Sequence, residues 1–137
     1  DALPIFMPSR WKDKFSTTGF FMLVPGAILI WWAVYSGTLA DSIVGRHVCD
    51  PTVLEDHERF AYITAWLFSV AALLEVVIRL NSLMMSYRIK RIISIASLIL
   101  LISGSVSMSY VGHLGAKLVY QQAAGVHHPS EDCAEFE

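Results

Sequence analysis

Five histidines and two cysteines are the side chains of this 137-residue sequence with the most to offer chemically: His47, His57, His113, His127 and His128, with Cys49 and Cys133. Two imidazoles on neighbouring helices can hold a haem iron from both sides. His57 opens one apolar segment and His113 lies near the end of the next, so they are the candidate axial ligands of a haem b. His47, His127 and His128 are candidate ligands for Zn or Cu, together with the cysteines, although their spacing matches no strong metal motif. Cys49 and Cys133 are also candidates for a disulfide, worth about 4 kcal/mol in the loop-entropy model. A cysteine used in one of these ways is lost to the other. Glu75 and Arg79 stand four apart, in the order that favours an ion pair along a helix, and are the candidate intramembrane pair. No nucleophile sits with its base, and there is no glycine-rich phosphate loop and no Cys-x-x-Cys, so no catalytic residue is assigned and no enzyme is expected.

These side chains must be positioned by apolar helices. The chain is 55% hydrophobic and only 16% charged, with a mean hydropathy of +0.52, which is too apolar for a soluble domain of this size. Residues 15–40 and 92–116 carry no formal charge, and each run is longer than the roughly 20 residues needed to cross a bilayer core of about 30 Å. The expected fold is all-α: a single membrane domain of three transmembrane helices over residues 15–44, 57–80 and 91–126. An interfacial segment, 1–14, precedes the first helix, and a polar tail, 127–137, follows the last. Arg10, Trp11, Lys12 and Lys14 suit the headgroup level. Ser16, Thr17 and Thr18 offer N-cap oxygens for the first helix, and Glu55, Asp56 and Glu58 offer dipole-complementing charge for the second.

Within the second helix, His57, Ala61, Thr64, Phe68, Ala72, Glu75 and Arg79 share one face at 100° per residue and make a polar stripe. Gly26, Ala33, Gly37 and Ala40 put small residues on one face of the first helix, where another helix backbone can approach closely. The serines of the third helix, including Ser97, Ser105, Ser107 and Ser109, suit packing and backbone bonding better than a hydrophilic path. Arg10, Lys12, Lys14, Arg79, Arg88, Lys90 and Arg91 fall at one set of helix ends, and Arg46, Arg59 and Lys117 at the other. The positive-inside tendency then predicts a cytoplasmic N-terminus and a C-terminal tail outside, together with both cysteines.

The exit of the third helix, Gly112-His113-Leu114-Gly115-Ala116-Lys117-Leu118-Val119-Tyr120 followed by Gly125-Val126, resembles the last helix of a widespread family of small bacterial membrane proteins of unknown function. The pattern of that family is close to G-x-L-G-G-x-L-V-Y-x-H-G-x-G-V. Ala116 stands at its second paired glycine and Gln122 where it often has histidine. Residues 37–41 and His57 are weaker echoes. Family members usually have four helices and a histidine in the first; three spans leave no room for a fourth at this N-terminus. The resemblance implies a multi-pass protein of the bacterial inner membrane and implies no activity.

The expected role is a non-catalytic accessory or scaffolding subunit of a larger multi-subunit membrane complex of the respiratory or photosynthetic kind. Its partners would be membrane lipids and other integral membrane subunits, with no nucleic acid, since no basic patch is present. The two other expectations are a haem-b electron-transfer subunit using His57 and His113, and an outer-face metal-binding protein using the histidine and cysteine cluster.

Overall fold

A computed structural model describes residues 9–48, 50–81, 83–122 and 124–125. The chain forms α1 (Ser9–Val44), a single 3₁₀ turn (Gly45–His47), α2 (Pro51–Leu80) and α3 (Tyr87–Tyr120). Each of the three α-helices is long and apolar enough to cross a membrane, which is the architecture of a multi-pass membrane protein. At 1.5 Å per residue the shortest, α2 with 30 residues, reaches about 45 Å, well beyond a hydrocarbon core of about 30 Å.

The helix starts differ from the expected ones, because hydropathy marks where the apolar core begins and not where the helix begins; at α2 the difference is set by capping chemistry. In α1 the helix opens at Ser9, so residues 9–14 are its first turns and Ser16, Thr17 and Thr18 lie inside it. The second helix opens at Pro51 instead of His57. Asp50 is its N-cap and accepts from the Thr52 amide at 2.9 Å and the Thr52 hydroxyl at 2.7 Å. Pro51 occupies the position where a missing N–H costs nothing. Glu55, Asp56 and Glu58 therefore sit beyond the first turn and do not answer the dipole there. The third helix runs from Tyr87 to Tyr120 instead of 91–126; the Gln121 and Gln122 amides both close on Lys117 O, at 2.9 and 3.1 Å, and end it.

Asn81 organises the short connection from α2 to α3. Its amide bonds Val77 O, and its carbonyl accepts from Met84 and Met85. That reverses the chain within a few residues and makes α2 and α3 an antiparallel hairpin. α2 is central: it packs along α3 over most of its length and along α1 over less. Its buried residues are Thr64, Ala65, Ala71 and Ala72, in the crease between its two neighbours. Small residues recur across the hairpin, with Ser97 and Gly104 buried on α3. The Phe68 ring lies 3.2 Å from where a Cβ at Gly104 would stand, so glycine is what lets these two backbones approach.

Candidate functional site

Across the hairpin seam Phe68 faces Gly104, Thr64 faces Ser107, His57 faces Gly115, and the Asp50 amide faces Gln122. The contacts recur at one to two turns of each helix, which keeps one face of α2 on α3 along its length.

Polar groups at the outward steps of this seam are satisfied across it. The Thr64 hydroxyl donates to Phe60 O at 2.8 Å, so the 2.7 Å contact between Thr64 and Ser107 must be donated by the Ser107 hydroxyl. Gln122, only 8% exposed, accepts from the Asp50 amide at 2.9 Å and sews the exit of α3 to the N-cap of α2. The sequence marks Ser107 as one of several packing serines and Gln122 as a departure from the family pattern, and neither reading supplies its partner. Their importance follows from the register, which only the pairing of the two helices sets. Thr52 holds the Asp50 carboxyl below the usual carboxylate range, chiefly through its hydroxyl and then through its amide.

His57 lies 3.1 Å through Nδ1 from Val111 O. A carbonyl only accepts, so Nδ1 carries the proton and donates. The ring packs against Gly115, where an added Cβ would stand 3.2 Å from its Cε1. His113 does not join it. Two residues along a helix turn it by about 200°, so His113 leaves α3 on the side opposite Val111 and Gly115, and it is exposed there. A haem held by His57 and His113 of one chain would have to occupy the space of α3 itself, so the residues do not fit that group.

Glu75 and Arg79 do not pair among the described residues. Arg79 reaches across to α1 instead, donating through Nη2 to Ser16 O at 2.7 Å and Ser16 Oγ at 3.2 Å. Its guanidinium stands 4.3 Å from the centre of the Phe20 ring. A long cationic side chain near a helix end extends toward the membrane edge, and there α1 offers a carbonyl, a hydroxyl and a π-face, whereas Glu75 lies one turn deeper. One step of seven from Phe68 and Gly104 sets Glu75 opposite Ser97. The Ser97 hydroxyl is buried and has no partner, as is the Arg79 Nε.

Trp31 fastens the other side of α2. Its indole donates to Ser69 Oγ at 2.8 Å and meets Trp66 edge-on with ring centres 5.2 Å apart. With the Arg79 bridge, this makes two anchor points for α1. The small residues of α1 face elsewhere: Gly26, Ala33, Gly37 and Ala40 are all exposed, and a Cβ at Gly19, Gly26 or Gly37 would meet nothing within 4 Å.

Cys49, Cys133, His127, His128 and the His47 side chain lie outside the described residues, and so do the disulfide and metal expectations built on them. Among the described residues no three His, Cys, Asp or Glu side chains come together as a metal group. Compared with protein-family models, with curated proteins and with solved structures, the chain matches none.

Proposed function

We propose that this chain is a non-catalytic accessory subunit that docks α1 against another integral membrane protein in a larger complex. The observation that carries the reading is the outward face of α1. Gly19, Gly26, Ala33 and Ala40 repeat every seven residues on it. Among the described residues nothing lies within 4 Å of a Cβ built at Gly19 or Gly26, and Ala33 and Ala40 are exposed. Lipid tails are as apolar as helix side chains, so a smooth stripe of small residues favours association through close backbone approach. α1 is also the helix that buries the smallest share of its surface. The proposed setting is the bacterial inner membrane, with the N-terminus cytoplasmic by the distribution of basic residues. The complex is proposed to be bioenergetic by association, since small multi-span subunits are common there.

The test is electrophoresis of a mild-detergent extract under native conditions. The expected result is migration with a complex far larger than the chain. Gly26→Leu and Ala33→Leu should release the chain from that complex while leaving its own helical content and melting unchanged. Migration as a single chain in every detergent, or variants that stay in the complex, would sink the reading.

A further inference from the structure

α1 and α3 leave one flank of α2 as an open groove of about 500 Å³, bordered by Leu100 of α3 and by Tyr62 and Trp66, which Trp31 of α1 meets at its edge. Arg59 stands at one end, followed inward by Tyr62, Trp66 and Val70. Apart from Arg59 the walls are almost wholly apolar, and Trp66 is 60% exposed in them.

Two features say what covers this flank. The first is depth. Arg59 and Arg79 are twenty residues apart on one straight helix, which is about 30 Å, the thickness of the hydrocarbon core. With Arg79 at one membrane edge, Arg59 lies at the other. The groove from Arg59 to Val70 then descends about 16 Å, the depth of one leaflet. The second is charge order. Arg59 is exposed and has no hydrogen bond or ion pair among the described residues, although Glu55 and Asp56 are the carboxylates four and three residues before it. From the membrane outward the sequence of groups is apolar wall, guanidinium, carboxylates. A phospholipid with an ammonium headgroup has the complementary sequence of acyl chain, phosphate and ammonium.

We propose that this flank of α2 is a binding site for one zwitterionic phospholipid, with its phosphate on Arg59, its ammonium toward Glu55 and Asp56, and one acyl chain along Trp66 and Val70. Arginine suits the phosphate because its planar fork donates two parallel hydrogen bonds. The carboxylates disfavour a purely anionic headgroup in the same place. Tyr62 and Trp66 also meet Trp31 on the α2-facing side of α1, so the site leaves the small-residue face by which α1 is proposed to dock untouched.

The full-length protein, delipidated in detergent, is titrated with dioleoyl-phosphatidylethanolamine or dioleoyl-phosphatidylglycerol and examined by native mass spectrometry. One phosphatidylethanolamine should be retained with a preference of about tenfold, the scale of one charge-assisted hydrogen bond. Arg59→Ala should lose the adduct and Arg59→Lys should keep part of it. The double change Glu55→Gln with Asp56→Asn should keep lipid binding but abolish the preference for the ammonium headgroup. Equal retention of the two lipids by the unaltered protein, or an undiminished adduct in Arg59→Ala, overturns the proposal. So does a photo-crosslinker at position 66 that captures a protein and no lipid in native membranes.

Discussion

Ser97 carries the clearest single-residue consequence. Ser97 is 1% exposed and its hydroxyl has no hydrogen-bond partner, so it lies unbonded between packed helices. A buried orphan hydroxyl costs about 1–3 kcal/mol, whereas alanine keeps the close helix approach and carries no such cost. Ser97→Ala is therefore expected to raise stability by about 1 kcal/mol in detergent, read as a higher melting temperature. A lowered melting temperature would overturn the reading of Ser97 as an unbonded hydroxyl. Asp50 gives the pH-dependent counterpart. Its carboxyl titrates below its ordinary range because Thr52 donates to the charged form. Its contribution is present above the unfolded value and is lost as pH falls through the lowered folded value. Amide exchange at Thr52, Val53 and Leu54 should accelerate in that acidic window. Asp50→Ala should show the faster exchange at neutral pH as well, and identical exchange in the two proteins would remove Asp50 as the cap.

At the scale of the helix, glycine identity separates contact faces from open ones. Gly104→Val places a branched side chain where the Phe68 ring already stands, and such overpacking costs about 1–3 kcal/mol. The same change at Gly19 meets nothing within 4 Å. Unfolding of the two variants should differ accordingly, and equal melting would contradict the seam register. The helices themselves were legible in the sequence, because uncharged runs such as residues 15–40 have one reading in a chain this apolar. Their starts were less so, since hydropathy falls silent at the interface; yet Asp50-Pro51-Thr52 is a capping pattern that marks the true opening of α2. The polar stripe on α2 was legible as a face, but its partners were not. His57 turns to a backbone carbonyl of α3, Thr64 to Ser107, and Arg79 to Ser16 of α1. Which neighbour lies on which side of a helix depends on rotation and register, and neither is written in the periodicity of one helix. His57 and His113 matched in depth and differ in azimuth for that reason.

At the scale of the whole molecule the three helices are unequal. The hairpin of α2 and α3 is sewn along its length by the Phe68–Gly104, Thr64–Ser107 and His57–Gly115 contacts, a short Asn81-centred turn and the Gln122 clasp on the N-cap. α1 is held by the Trp31 indole on Ser69 and the Arg79 guanidinium on Ser16. The order of synthesis runs against this hierarchy. α1 is made before α2 and α3, and the Ser69 hydroxyl and Arg79 guanidinium that hold it belong to the helix made next. During that interval its faces are open, including the glycine-bearing one that the described residues leave uncovered. If α1 docks as proposed, its partner can capture it before the hairpin exists, and Arg79 then becomes the latch that closes the three helices on one another.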